Sequence, residues 1–224
     1  FVVLTKADKE DWEKVRPDVE QIYNPLTFVS DEVSPLTGKR CVAVGRLEAQ
    51  KNFKDLIKAW KTVDGRHPDW TLSIFGKGSQ ENELRNLIKD SGLAGKVILE
   101  GGTSDIRKEL LDSSCLVMSS RYEGFPMVLL EALTTGLPIV SYDCPKGPSE
   151  IVTIGANGYL AKVGDTGTLA QGICSVIANE DLRRRFGAES KRRSENFTLE
   201  KTMERWDRLF SSLTTSRTRT SPEG

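Results

Sequence analysis

The sequence of 224 residues predicts an α/β fold: a Rossmann-like, doubly wound parallel sheet with helices on both faces and further helices at the C-terminal end. Two observations predict this class. From residue 38 onward, short apolar runs alternate with longer segments of helical periodicity. The apolar runs are continuous and do not alternate with polar residues, which is typical of strands buried on both faces of a parallel sheet.

Composition divides the chain into four parts. Residues 1–24 carry a predicted strand (Phe1 to Thr5) and helix (Ala7 to Val15), and the breaker pair Asn24-Pro25 ends them. Because the first residue is not Met, we interpret this part as the remnant of an N-terminal domain. Residues 25–37, rich in Pro, Ser and Thr, are predicted to be a linker. Residues 38–213 form the main domain, and the polar residues 214–224 are predicted to be a disordered tail.

Within the main domain, six short apolar runs predict strands. They are Cys41–Val44, Trp70–Phe75, Val97–Leu99, Cys115–Met118, Pro138–Val140 and Gly158–Ala161. Between and after them, segments with apolar residues at helical spacing predict helices. These are Phe53–Thr62, Glu81–Lys89, Asp105–Leu111, Met127–Leu133, Thr168–Ala178, Asp181–Ser190 and Leu199–Leu213. Ser104 is expected to cap the third of these helices.

Charge and cysteine content exclude several classes of function. Lys plus Arg and Asp plus Glu both number 32, and a net charge of zero argues against a general nucleic-acid binder. Cys41, Cys115, Cys144 and Cys174 are widely spaced, which indicates reduced thiols in a cytoplasmic protein. The single histidine, His67, lies in a polar turn and is interpreted as an idle surface residue. No Gly-x-Ser-x-Gly, His-Glu-x-x-His or Asp-x-Asp motif occurs, so neither a serine hydrolase nor a metal site is expected.

Two basic runs, at residues 183–185 and 191–193, flank predicted helices. Most such runs are solvated faces, and we take that as the main interpretation. Peripheral contact with the inner face of a membrane is the minority interpretation. No uncharged apolar run reaches the length that spans a bilayer.

Ligands of doubly wound folds bind at the carboxyl ends of the strands. This rule selects four loops that follow predicted strands: Gly45 to Asn52, Gly76 to Ser79, Ser119 to Pro126 and Tyr142 to Glu150. The residues that bind a ligand are therefore expected in these loops and at the starts of the helices after them.

The first loop carries two cations, Arg46 at the end of a strand and Lys51 just before a helix. Two cations at that edge can neutralise a diphosphate. The alternative, that both are solvated surface side chains, has about equal weight.

The third loop and its helix carry two acids, Glu123 and Glu131, eight residues apart. Glu131 is the only charged residue between Gly124 and Tyr142, and a carboxylate in so apolar a stretch is costly to bury without a partner. Hydroxyl groups of a sugar or ribose would be suitable donors. The alternatives are a helix-start charge for Glu123 and a solvated helix face for Glu131.

The start of that same helix is also a candidate anion site. Pro126 is expected near its first position, where proline is favoured. The free amides of Met127 and Val128 can cradle a phosphate.

The second and fourth loops are weaker signals. Gly76-Lys77-Gly78 resembles the start of a dinucleotide fingerprint but lacks the third glycine, so a tight turn is the better interpretation. Cys144 to Glu150, with two prolines and a glycine, is either a wall of a sugar pocket or a structural turn, and the two weigh equally.

An ordered set of motifs resembles a known family. The set consists of Val44-Gly45-Arg46 with Lys51-Asn52, Ile74 to Gly78, Glu123-Gly124-Phe125 through Glu131, Gly136 to Val140 and Asn157 to Leu160. Together they resemble the donor-binding half of retaining glycosyltransferases of family 4, also called group 1, which have the GT-B fold. The resemblance covers residues 38–213, and the opening strand and helix resemble the end of the acceptor-binding half. Residues 144–150 are similar to members that build bacterial surface polysaccharides.

The resemblance implies transfer of a hexose from a nucleotide-diphosphate sugar, with a UDP-sugar favoured, to a glycan or lipid-linked acceptor. It implies retention at the anomeric carbon and no metal or cofactor. Arg46 and Lys51 would bind the diphosphate and stabilise the charge of the leaving group, Glu123 would hold sugar hydroxyls, and Glu131 the ribose. Further donor contacts are implied through the backbone, at Gly45, Gly76, Gly124, Phe125, Met127 and Val128, with residues 101–104 as a wall for the base.

Two departures bear on this interpretation. Many family members have glycine where this chain has Pro126, which has no amide hydrogen to donate to a phosphate. Most of the acceptor-binding half is absent, so the fragment is expected to be inactive alone, and a non-catalytic nucleotide-sugar or glycan binding module is the alternative. A nicotinamide-dependent oxidoreductase would need a complete glycine fingerprint, which Gly45-Arg46-Leu47 does not supply.

Overall fold

The computed structural model describes residues 1–218, and its first elements form a small unit of their own. Strand β1 (Val2–Val3), helix α1 (Lys6–Glu13) and strand β2 (Glu20–Gln21) follow one another, and the two strands pair in parallel. Thr5 caps α1 by accepting a hydrogen bond from the amide of Asp8. The predicted strand and helix are confirmed, whereas β2 was not predicted.

The main sheet has six parallel strands. They are β3 (Arg40–Val44), β4 (Thr71–Phe75), β5 (Val97–Gly101), β6 (Cys115–Met118), β7 (Ile139–Tyr142) and β8 (Gly158–Ala161). Their order across the sheet is β5-β4-β3-β6-β7-β8. The chain runs outward from β3 to one edge and then from β6 to the other, so the sheet is doubly wound and its switch point lies between β3 and β6.

Helices cover both faces of this sheet. They are α2 (Phe53–Arg66), α3 (Glu81–Asp90), α4 (Ile106–Leu111), α5 (Met127–Thr134), α6 (Pro148–Ile151), α7 (Thr166–Ala178) and α8 (Glu180–Ser194). A 3₁₀ turn (Glu195–Phe197) then leads into α9 (Leu199–Thr218). One apolar cluster lies between the sheet and α2, α3 and α7, and a second lies between the sheet and α4, α5 and α6. The predicted fold class is confirmed.

In the main domain, the differences from prediction are a helix cap, one short helix and the end of the last helix. Asp105, not Ser104, caps α4, because its carboxylate accepts from the amide of Lys108. The four residues of α6 were predicted as a rigid turn. Helix α9 continues to Thr218, five residues into the segment predicted as a disordered tail, and the rest of that segment lies outside the described residues.

The predicted linker, residues 25–37, contains no regular helix or strand but is fixed to the main domain. Leu26 donates its amide to the carbonyl of Phe197, Ser30 donates to the hydroxyl of Thr134, and Ser34 donates to the carbonyl of Thr135. Each of these partners belongs to α5 or its end or to the 3₁₀ turn. The segment is therefore a strap across the α5 side of the sheet.

The basic runs lie within α8, and several of their side chains serve the fold. Arg183 is buried, donates to the carbonyls of Leu36, Val176 and Ile177, and lies over the ring of Trp70. Lys191 donates to two backbone carbonyls, and Arg193 to one. Membrane contact through these runs stays a prediction. Within residues 1–218, no helix combines the length and apolar character needed to cross a bilayer.

Candidate functional site

A lysine and a glutamate form an ion pair at the switch point of the sheet, between β3 and β6. Lys51 lies in the loop after β3, and Glu123 lies in the loop after β6, the neighbouring strand. The ammonium Nζ of Lys51 is 2.6 Å from Oε1 of Glu123, and the two side chains are only 18% and 9% exposed. Ser119 joins the loops again by donating its hydroxyl to the carbonyl of Lys51 at 2.8 Å. The topology therefore holds two predicted site residues in direct contact.

Arg46 lies in the same loop as Lys51, directly after β3. Its guanidinium is exposed and donates to Oε1 of Gln50 at 3.3 Å. Gln50 in turn donates to the carbonyl of Tyr122 at 2.9 Å and accepts from the amide of Arg121 at 2.8 Å. Arg46 is thus placed against the loop that carries Glu123. Sequence reasoning missed Gln50, and its only signal was its place between the two cations.

An open cleft of about 330 Å³ lies beside the pair, at the carboxyl ends of β3, β4 and β5. Its walls include Gly45 and Gly76, two glycines that were predicted to contact the donor through their backbone. Glu131 and the loop residues Gly102 and Thr103 also line it. The loop 101–104 was predicted as a wall of the base site, and two of its residues do line this cleft.

Gly76 is required by a backbone contact, and Gly45 lies close to a side chain. A Cβ atom on Gly76 would lie 1.8 Å from the carbonyl oxygen of Gly45, which no rearrangement of side chains could relieve. A Cβ on Gly45 would lie 3.0 Å from the side-chain carbons of Lys51. Gly45 is therefore the shared wall between the cleft and the Lys51–Glu123 pair. The turn interpretation of Gly76-Lys77-Gly78 was incomplete, because Gly76 also allows two loops to approach.

Glu131 enters the cleft from α5 and is half-buried. Burial raises the pKa of its carboxyl above the ordinary value, and a hydrogen bond from Thr27 opposes that rise. The Thr27 hydroxyl donates to Oε1 at 2.8 Å. A hydroxyl partner was expected for the Glu131 carboxylate, and the protein itself supplies one of them, from Thr27. Thr27 was not predicted, since it lies in the strap, 104 residues away in sequence.

The loop between Glu123 and α5 presents mainly backbone. Pro126 is the N-cap of α5, which agrees with its predicted place near the first helical position. Met127 and Val128 are the first helical residues, and their amides have no acceptor inside the helix. The ring of Phe125 is buried, and a Cβ at Gly124 would meet no atom within 4 Å. Both residues can therefore offer only their main chain to a ligand.

The fourth loop packs behind this segment. Cys144 is buried, and its pKa is raised to about 12, first by burial and then by the negative charge of Glu123. A Cβ at Gly147 would lie 2.4 Å from Cδ of Pro126. These contacts favour a structural role for residues 144–150, whereas a role as a wall of the sugar pocket stays a prediction.

Other candidate chemistry lies away from this edge. His67 is the C-cap of α2 and precedes β4, so it lies at the end of the sheet opposite the cleft. All four cysteines are buried and free. In the described part of the chain, no group of three or more His, Cys, Asp or Glu side chains could hold a metal ion.

Comparison with known proteins agrees with this architecture. The family model described as "Glycosyl transferases group 1" matches residues 28–193. An uncharacterized glycosyltransferase of Haemophilus influenzae is 33% identical over 209 residues, which cover 92% of this chain and 59% of that protein. A poly(glycerol-phosphate) alpha-glucosyltransferase of Bacillus subtilis is 30% identical over 209 residues, covering 91% of this chain and 31% of that enzyme.

Among solved structures, a variant of S. aureus TarM in complex with fondaparinux, alpha-GlcNAc-glycerol and UDP superposes with a TM-score of 0.86 at 27% identity. The match covers 93% of this chain and 43% of that one. The chain therefore spans less than two thirds of these relatives. Because the family model covers most of its length, the chain belongs to the glycosyl transferases of group 1.

Proposed function

We propose that the chain is the C-terminal, donor-binding half of a retaining GT-B glycosyltransferase of family 4. The observation that carries the proposal is the Lys51–Glu123 pair at the switch point, with Arg46 in the same loop as Lys51 and the Glu131 cleft across Gly45. One edge of the sheet thus offers cations for a diphosphate and two carboxylates for hydroxyl groups. A sugar nucleotide carries both kinds of group.

The diphosphate would lie between Arg46 and the start of α5. The exposed guanidinium can donate to two phosphate oxygens, and Lys51 adds a second positive charge. The amides of Met127 and Val128 point out of a helix start, where the macrodipole favours an anion. As the bond to the sugar breaks, these donors would stabilise the negative charge that develops on the leaving nucleotide.

The transferred hexose would contact Glu123. Lys51 occupies Oε1, and no donor among the described residues contacts Oε2, which is therefore available to sugar hydroxyls. The ion pair also fixes the rotamer of Glu123, so the carboxylate is oriented before the sugar arrives.

The nucleoside would fill the cleft. Glu131 keeps Oε2 available while Thr27 occupies Oε1, so the carboxylate can accept from ribose hydroxyls. Gly102 and Thr103 would form the wall for the base. We propose UDP as the nucleotide, supported by the UDP bound to the similar TarM variant.

The acceptor would be a glycan or a lipid-linked glycan, and the second binding face would come from an acceptor domain of the same polypeptide. The relatives are longer than this chain, and they include the Bacillus glucosyltransferase named for a polymer of glycerol phosphate. Apolar side chains on α1 and α9 also lie exposed, among them Trp12 (42%) and Phe210 (55%), as expected of surfaces that another domain covers. By itself the chain would bind the donor and not transfer the sugar, in the cytoplasm or at the inner face of its membrane.

Titration with nucleotides tests this proposal. Thermal shift and calorimetry with UDP-, GDP- and ADP-sugars should show selective stabilisation by one nucleotide class, UDP in our proposal. Complementation with the acceptor half of a group 1 enzyme should restore transfer. Binding without restored transfer would favour the non-catalytic module, and failure to bind any of the nucleotides would exclude the donor site itself.

A further inference from the structure

Glu150, on the short helix α6, is bonded to the N-terminal segment of the chain. Its carboxylate accepts from the amide of Lys6 at 2.8 and 3.1 Å and from that of Ala7 at 3.4 Å. It also accepts from the hydroxyl of Tyr23 at 2.6 Å. The two amides open helix α1, where a negative charge is favoured, and each bond is strengthened because the acceptor is ionised.

A second link joins the same loop to α1. Lys146 lies 2.5 Å from the carboxylate of Asp8 and 3.6 Å from that of Asp11. Residues 144–150 are therefore held to residues 1–24 at two points, by charges of opposite sign. A loop that only connected β7 to the next element would need neither the Glu150 hydrogen bonds nor the Lys146 ion pairs.

The N-terminal segment and the loop of residues 144–150 both contact the segment between Glu123 and α5. The ring of Tyr23 stacks on that of Phe125, with centroids 5.3 Å apart and planes at 22°. Phe197 packs edge-on against Tyr23, also at 5.3 Å. Gly147 also lies so close to Pro126 that a Cβ would be 2.4 Å from its ring. Phe125 and Pro126 thus contact both the N-terminal segment, through the Tyr23 ring, and the loop of residues 144–150, through the Gly147 backbone.

We propose that Tyr23 and Glu150 are positioning residues for Glu123, so that residues 1–24 form part of the donor-sugar site. Their hydrogen bond joins the two segments that contact Phe125 and Pro126, the residues that follow Glu123 and Gly124. Loss of the bond would let these two segments separate and loosen the sugar-binding carboxylate, while the Glu131 cleft and Arg46 remain in place. This inference rests on the proposed donor function and adds that the sugar end of the site depends on the N-terminal segment.

The test compares the sugar with the nucleotide. Tyr23→Phe removes one oxygen and keeps the ring stack, and Glu150→Gln removes the charge and keeps the shape. UDP-glucose, UDP-galactose, UDP-N-acetylglucosamine and UDP alone are titrated into each variant. We expect affinity for the sugar nucleotide that the wild type prefers to fall roughly tenfold, the scale of a misplaced contact, while affinity for UDP changes by less than about twofold. Tyr159→Phe, on β8 with its ring against Phe186, is the matched control and should change neither.

A purely structural role would give a different result. Lower melting temperature with an unchanged ratio of UDP-sugar to UDP affinity would overturn the inference and leave the donor function intact. Absence of any nucleotide binding by the wild type would instead remove the proposed function. Hydrogen exchange of the unliganded protein gives a second measurement. Amides of residues 122–125 should exchange faster in Tyr23→Phe than in wild type, and unchanged exchange there would contradict the inference.

Discussion

Lys51 and Glu123 form an ion pair of 2.6 Å between the loops after β3 and β6, with side chains that are 18% and 9% exposed. Each residue therefore has two tasks. It holds the other loop in place, and in the proposed donor site it would present a charge to the ligand. A substitution of either one alters the fold and the site together, so binding data for single variants need stability data beside them.

The pair should be coupled energetically. Lys51→Met leaves the Glu123 carboxylate little exposed and without its partner, and we expect a loss of about 1–3 kcal/mol in the free energy of unfolding. In the double variant Lys51→Met with Glu123→Gln, the loss should be smaller than the sum of the single losses by about 0.5–3 kcal/mol. Urea denaturation of the four proteins measures this. The exposed pair Lys54–Glu83 is the control, with expected coupling of about 0.2–1 kcal/mol. Strict additivity at Lys51 and Glu123 would contradict the prediction.

Arg46→Ala should separate binding from stability. The side chain is exposed, so unfolding free energy should change by less than about 0.5 kcal/mol. Affinity for UDP should fall by about 1.5–3 kcal/mol, the scale of a charge-assisted hydrogen bond, whereas affinity for uridine should not change. Calorimetry checks both values. Arg85→Ala, an exposed arginine paired with Glu81 on α3, is the control and should bind UDP normally. Equal losses for UDP and uridine would place Arg46 away from the diphosphate.

Glu131→Gln should discriminate between riboses. The amide that replaces one carboxylate oxygen accepts fewer and weaker hydrogen bonds from hydroxyls. We therefore expect UDP to lose more affinity than 2′-deoxy-UDP when both are titrated into the variant. The same loss for both nucleotides would show that Glu131 does not contact the ribose.

Glu131 should also make the stability of the folded protein depend on pH. Burial raises the pKa of its carboxyl in the folded state, so the folded protein binds this proton more tightly than the unfolded chain does. The stabilising effect of protonation is complete below the unfolded pKa of about 4.3 and is lost as pH rises through the higher folded pKa. Wild type should therefore gain stability relative to Glu131→Gln as pH falls from neutral. Denaturation of both proteins across this range measures the difference, and the opposite trend would show that Glu131 is stabilised as an anion.

Gly76→Ala should be strongly destabilising. The new Cβ would lie 1.8 Å from a backbone oxygen of Gly45, so one of the two loops must move. We expect a loss of about 2–4 kcal/mol, within the range of severe packing changes, and weaker binding of nucleotide in the cleft. Gly65→Ala, in α2 with no atom within 4 Å of its Cβ, should instead be neutral or stabilising by up to about 1 kcal/mol. Thermal or urea unfolding of both variants measures the two changes in stability, and equal stability of Gly76→Ala and wild type would contradict the prediction.

The sequence was most informative where local pattern and burial agree. The strand Cys115–Met118 was predicted to the residue because a fully buried parallel strand is continuously apolar. The short helix α6 was missed, since four residues starting at a proline do not differ from a turn by pattern.

Contacts between distant residues could not be predicted in the same way. Ligands of such sheets bind at the carboxyl ends of the strands, and this rule assigned four charged residues to one edge: Arg46, Lys51, Glu123 and Glu131. Which of them pair depends on which strands are neighbours. Lys51 and Glu123 touch because β3 and β6 are adjacent, and no local pattern reports that adjacency. Tyr23 and Glu150 are 127 residues apart in sequence, and nothing in either neighbourhood points to the other.

The most direct test of the proposed donor site is a crystal structure of the chain grown with UDP. We expect the diphosphate between Arg46 and the amides of Met127 and Val128, with the ribose against Glu131 and the base beside Thr103. A nucleotide bound at another face of the sheet, or none bound at saturating concentration, would contradict it.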